Sequence, residues 1–126
     1  MEAITIKRDL EQNLTFFEVR GAVGRRELEE AIASFYEGGP TRCVLWDLRQ
    51  ADLQRLATQD VRGLIRFMEQ NNFIRAEGRT ALVAPRDADY GLARMGEVFA
   101  EGLPTQFGVF RSLEQALEWL AQGGPS

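Results

Sequence analysis

Cys43–Leu48 (CVLWDL) is apolar at every position but Asp47. Successive side chains of a strand point to opposite faces, so a strand that is apolar on both faces must be covered on both. This suits a central strand of a layered α/β sheet. A polar stretch follows, and then a helical pattern that opens at Thr58. In an open α/β sheet, sites form at the carboxyl ends of the strands and the helix starts beside them. The span Arg42–Ile65 is therefore where a function is first sought.

The rest of the chain supplies the partners such a strand needs. Ile4 to Asp9 alternates apolar and polar residues, the period of a half-buried strand. Glu11-Gln12-Asn13 makes a turn, and Leu14–Arg20 is a second strand rich in aromatic and β-branched residues. The short connection predicts an antiparallel hairpin. After Gly21–Gly24, Leu28, Ala31, Ile32 and Phe35 share one helix face, and Gly38-Gly39-Pro40 stops that helix.

Past the central strand, Thr58 is expected to cap a second helix, with Asp60 in its first turn and Val61, Leu64, Ile65 and Met68 as its apolar stripe. Thr80–Ala84 predicts a fourth strand. Leu92, Met95, Val98 and Phe99 predict a third helix, started by Pro85-Arg86-Asp87 and ended by Gly102 and Pro104. Gln106–Phe110 is a fifth strand. Ser112-x-x-Gln115 is a capping box before a last helix carrying Leu113, Ala116, Leu117 and Leu120. The order is ββαβαβαβα: a single α/β domain over residues 1–122, with a mostly parallel five-stranded sheet, an antiparallel N-terminal hairpin, four helices and a tail at 123–126.

The chain of 126 residues is long enough for a core without disulfides or metals. It contains no histidine, which removes imidazole acid–base chemistry, histidine triads and imidazole metal ligands. One cysteine, Cys43, allows no internal disulfide, and a thiol in an apolar strand lacks the electropositive setting of a reactive one. A net charge of −4 argues against nucleic acid or an anionic membrane surface as partner. No apolar run reaches membrane-spanning length, so no membrane insertion is expected. A lone thiol and no signal-like start predict a cytoplasmic setting. No glycine-rich phosphate loop is present, and no cofactor is expected.

The element order, together with Gly21-Ala22-Val23, Val44–Arg49 and Tyr90-Gly91-Leu92-Ala93-Arg94, resembles the STAS family, the SpoIIAA-like fold of anti-sigma-factor antagonists. Leu92–Met95 and the final Leu-Glu-Gln-Ala-Leu run look most like its uncharacterised branch, whose relatives are also compared with SEC14-type lipid-binding domains. The resemblance covers nearly the whole chain and implies a partner-binding switch module. In regulatory members a phosphorylatable serine lies in an Asp-Ser-x-Gly-like turn at the start of the second helix. Here that turn reads Leu56-Ala57-Thr58-Gln59-Asp60, and the only serines are Ser34, Ser112 and Ser126. Thr58 is the one hydroxyl able to stand in.

Each candidate carries a functional and a plain reading. Thr58 is either a phosphate acceptor at a helix start or an N-cap worth about 1 kcal/mol. Asp47, Asp52 and Asp60 could converge on a divalent cation. The plain reading pairs Asp47 with Arg49, bonds Asp52 to its loop backbone and leaves Asp60 at its helix start, so no metal site is assigned. Arg94 could bind an anion and Tyr90 could stack on a ligand, or both flank an amphipathic helix. Asp87 and Asp89 are favourable first-turn charges. Trp46 suits the core. Trp119 lies off its helix stripe and is the better interface candidate. Phe67 and Phe73 could form an apolar patch.

No activated nucleophile or base is visible, so a non-enzymatic protein-interaction module, with a homodimer as one form it could take, is the first expectation. Its surface would comprise the Arg49–Ala57 loop, the start of the second helix and the adjacent third helix. The alternative is a carrier of a small apolar or amphiphilic ligand, with an apolar cavity on the order of a few hundred Å³ between sheet and helices.

Overall fold

The computed structural model describes residues 3–122. The elements follow in the order β1 (Ile4–Asp9), β2 (Leu14–Ala22), α1 (Arg25–Glu37), β3 (Cys43–Asp52), α2 (Thr58–Gln70), β4 (Arg79–Val83), α3 (Asp87–Phe99), β5 (Gln106–Phe110) and α4 (Leu113–Gln122). The strands form one sheet in the order β1-β2-β3-β4-β5, antiparallel between β1 and β2 and parallel thereafter. This is the expected α/β architecture, with β3 at its centre. The expected tail, residues 123–126, lies outside the described residues.

Sequential strand order decides where the helices go. Right-handed crossovers that always step in one direction place their helices on one face. Phe17, Val44 and Trp46 accordingly pack against α1, while Ile65 and Met68 of α2 pack with Ala100 just beyond α3. Side chains of opposite parity, Leu14, Cys43, Leu45, Ala81 and Val83, meet Ala116 and Leu120 of α4 on the other face. Thus three helices cover one side and α4 the other. The Ser112 hydroxyl accepts the Gln115 N–H at 3.2 Å and starts α4 as the sequence predicts.

Several local expectations change. β2 and β3 do not stop at Arg20 and Leu48. After a register shift between Glu18 and Arg20 they pair again, Arg20↔Gln50, Gly21↔Ala51 and Ala22↔Asp52. The pairing continues because Val19, Val23, Leu48 and Ala51 are buried together beneath it. Residues 49–52, expected as loop, are therefore strand. β4 spans 79–83 rather than 80–84, in register with Cys43–Asp47.

The α3 stripe also turns away from Val98, which is 53% exposed. Asp89, Ala93 and Ala100 are buried instead. Small residues let α3 approach α2: a Cβ on Gly96 would stand 3.4 Å from Val61 Cγ1. Leu117 is exposed rather than core. Trp119 is half-buried, packed on Phe110 with the Arg79 guanidinium over its ring. Phe67 and Phe73 form a half-buried edge-to-face pair, and Phe73 stacks on Tyr36.

Candidate functional site

Midway along β3, Asp47 is clamped by Arg49, two residues on. Arg49 donates from Nε to Oδ1 at 2.9 Å and from Nη2 to Oδ2 at 2.8 Å, and its backbone N–H adds a third bond. The Arg49 guanidinium holds the Asp47 carboxyl below its ordinary pKa, against the opposing effect of burial. The same contact raises the Arg49 pKa. Three residues on, Asp52 Oδ1 accepts the Gln54 N–H at 3.0 Å, and a turn closes from Leu56 N–H to the Leu53 carbonyl. Leu53 and Leu56 are drawn into the apolar layer beneath.

The expected Thr58 cap is not what starts α2. Ala57 occupies the N-cap position with extended backbone, and Thr58 is the first helical residue. Asp60, three residues after Ala57, returns its Oδ2 to the Ala57 N–H at 2.8 Å. One half of a capping box therefore forms without a capping side chain. The Thr58 hydroxyl is exposed and reaches across to Met95 Sδ at 3.6 Å, which ties the start of α2 to α3.

On α3, Arg94 pairs with Glu97 at 2.6 Å, and Tyr90 is half-buried with the Arg111 guanidinium 4.2 Å above its ring. Asp89 lies in the first turn of α3 as expected, and it is buried there. It accepts Arg86 Nε at 2.7 Å, while Arg86 also donates to the Ala51 carbonyl of β3. Arg86 thus ties the start of α3 to the end of β3. Asp87 is held by Arg111 at 2.8 Å. Asp47, Asp52 and Asp60 each have their own partner. Among the described residues no group of three or more acidic or cysteine side chains could hold a metal ion. The fold gathers the ends of β2 and β3 and the starts of α2 and α3 at one end of the sheet.

A second feature has no sequence signal. Between the sheet and α1, α2 and α3 lies a cavity of ≈ 150 Å³, lined chiefly by apolar side chains, among them Trp46, Leu82, Ile65 and Ala93. The Trp46 indole lies flat on Phe17, with centroids 4.0 Å apart and 8° between planes. The cavity's polar lining comes from Tyr36, Arg75 and Thr80. Arg75 lies in the segment between α2 and β4 and is fixed at every level. Its N–H donates to Thr105 Oγ1 and its carbonyl accepts from the same hydroxyl. Its guanidinium donates to the carbonyls of Arg42 and Arg79, to the Tyr36 hydroxyl at 3.1 Å and to Thr80 Oγ1 at 2.5 Å. Burial lowers its pKa, with Tyr36 opposing the shift. One arginine among fourteen, in a loop, carries no periodic or motif signal, so sequence reasoning missed it.

No protein-family model matches the chain, and no curated protein matches it. Solved structures do. A protein from Shewanella loihica PV-4, described as an uncharacterized member of the DUF3478 family with a SpoIIAA-like fold, superposes with a TM-score of 0.59. The match is at 21% identity over 94% of this chain and 92% of that one. The unphosphorylated form of the anti-sigma factor antagonist SpoIIAA superposes with a TM-score of 0.53, at 16% identity over 94% and 98% of the two chains. The chain has the SpoIIAA-like fold. Among the described residues no helix is long and apolar enough to cross a membrane.

Proposed function

We propose that this SpoIIAA-like domain is a non-enzymatic, cytoplasmic protein-interaction module whose contact surface is the end of the sheet built from Asp47, Arg49, Asp52, Thr58, Asp60, Tyr90 and Arg94. The observation that carries this reading is the state of the polar groups there. Asp47, Asp52, Asp60 and Arg94 are each neutralised or hydrogen-bonded by a neighbour, while Arg49, Asp52, Thr58 and Arg94 remain exposed. Such a surface offers fixed polar contacts and no activated nucleophile or base. The fold shared with an anti-sigma factor antagonist supports the same class of role. Thr58, exposed and not needed as a cap, is the position where a modification would alter the surface.

The test is affinity capture from cells with the wild-type chain and with Thr58→Arg, followed by native mass spectrometry of what is retained. A stoichiometric protein partner, or a second copy of the chain, is expected on the wild type and lost on the variant at unchanged melting temperature. Equal retention by both, or no stoichiometric partner, would overturn the reading.

A second reading, a carrier of a small apolar or amphiphilic ligand, is supported by the cavity beneath the same surface. At ≈ 150 Å³ it is smaller than the roughly 300–1,000 Å³ usual for drug-sized ligands. It would take a molecule of about one ring.

A further inference from the structure

Among the described residues eight arginines pair with carboxylates: Arg20, Arg25, Arg26, Arg49, Arg55, Arg86, Arg94 and Arg111. All eight are exposed, where an ion pair contributes little. Arg75 is less exposed than any of them and lines an apolar cavity, yet no carboxylate among the described residues pairs with it. Its hydrogen-bond partners are two backbone carbonyls and two hydroxyls, and its guanidinium stands 5.5 Å from the Phe35 ring centroid, all neutral groups. A charge withdrawn from water ordinarily has a counter-charge.

The hydrogen-bond inventory shows what is left over. A guanidinium has five N–H donors, and Arg75 uses four: one from Nε, one from Nη1 and two from Nη2. One Nη1 proton remains. The Tyr36 hydroxyl accepts from Nη1, so its own proton is also available to donate. Arg75 Nη1 and the Tyr36 hydroxyl, 3.1 Å apart, thus each keep a proton, and both residues belong to the polar part of a lining that is otherwise apolar and floored by Trp46 on Phe17. Two neighbouring donors can each serve one oxygen of a carboxylate.

We propose that this cavity binds a small monocarboxylate bearing a single ring or a short acyl chain, its carboxylate held by Arg75 Nη1 and the Tyr36 hydroxyl and its apolar body lying against Trp46 and Leu82. The proposal rests on the ligand-holding reading above and gives it a ligand class. The size of the cavity limits the apolar part to about one benzene ring. A phospholipid does not fit.

The test uses the intact protein and defined ligands. Benzoate and hexanoate are titrated by calorimetry and by tryptophan fluorescence, alongside benzyl alcohol and toluene. Trp46 is the reporter, since Trp119 packs with Phe110 on the opposite face. Saturable 1:1 binding of the carboxylates is expected, about ten- to a hundredfold tighter than benzyl alcohol, the preference of a charge-assisted hydrogen bond. Tyr36→Phe is expected to weaken benzoate several-fold and leave toluene unchanged. Ala93→Leu fills the cavity without touching Arg75 and is expected to abolish binding of all four. Should either variant fail to fold, the ligand series on the wild type still decides. Equal affinity for benzoate and toluene would overturn the role of Arg75 and leave the carrier reading standing. No saturable binding of any of the four at millimolar concentration would overturn both.

Discussion

The Thr15 hydroxyl, on β2, lies 2.7 Å from the Thr41 hydroxyl in the connection before β3, and both residues are buried. Thr41 spends its one hydroxyl proton on the Cys43 carbonyl at 2.8 Å, so Thr15 must be the donor to Thr41. Thr41→Val therefore strands a buried donor, whereas Thr15→Val leaves the Thr41–Cys43 bond intact. We expect Thr41→Val to cost about 2 kcal/mol and the Thr15→Val/Thr41→Val double variant to cost less than the sum of the singles. Urea denaturation of the four proteins measures the coupling, and strict additivity would refute it.

The start of α2 separates two residues that look interchangeable as caps. Asp60 bonds the Ala57 N–H and sits at the positive end of the helix dipole, while the Thr58 hydroxyl contacts only Met95 Sδ. Asp60→Ala is expected to cost about 1 kcal/mol. Thr58→Ala is expected to cost less than about 0.5 kcal/mol, as at an ordinary surface position. Thermal unfolding of both variants checks the order, and a larger loss at Thr58 would contradict the cap assignment.

Asp47 gives stability a pH dependence of known sign. Its folded pKa lies below the unfolded one because Arg49 holds the charged form. The stabilisation is therefore complete above the unfolded value of about 4 and is lost as pH falls through the folded pKa. Arg49 is 46% exposed, so solvent screening limits the effect to about 0.5–1 kcal/mol. The stability difference between wild type and Asp47→Asn should be constant from pH 7 to about 5 and close below about 4. A gap that widens on acidification would show the sign to be wrong.

Two glycines with crowded Cβ directions should respond oppositely to alanine. At Gly63 in α2 the three atoms nearest the added carbon would all belong to the Arg25 guanidinium, the far end of a flexible, exposed side chain. Gly63→Ala is expected to stabilise by up to about 1 kcal/mol through helix propensity. At Gly78 it would stand 2.8 Å from the Arg42 carbonyl oxygen and 2.8 Å from Arg75 Cβ, neither free to move. Gly78→Ala is expected to cost about 2 kcal/mol or more, as an overpacked site does. Chemical denaturation of the two variants tests the contrast.

Much of this molecule was legible from one dimension. The hairpin, the central strand, the helix stop at Gly38 and the Ser112 cap all rest on local patterns: periodicity, glycine and proline punctuation, a capping residue. Asp47 with Arg49 and Asp52 with Gln54 were readable for the same reason, since each pair is two residues apart. The α2 cap was misread within that local range. Thr58 is a good capping residue, but Leu53 and Leu56 draw the loop into the core and place Ala57 at the turn instead.

What sequence determined by itself is the order and kind of the elements, because an amphipathic period is set by neighbours along the chain. Tertiary structure alone decided how far β2 and β3 run, since their last three pairs depend on a register shift and on the side chains buried beneath. It alone buried Asp89 under Arg86, and it alone enclosed Arg75 between Tyr36, Thr80 and Thr105 with no carboxylate paired to it among the described residues. The setting of these charges depends on groups thirty or more residues away, Tyr36, Arg42 and Thr105 for Arg75 and Ala51 for Arg86, and no local pattern encodes them.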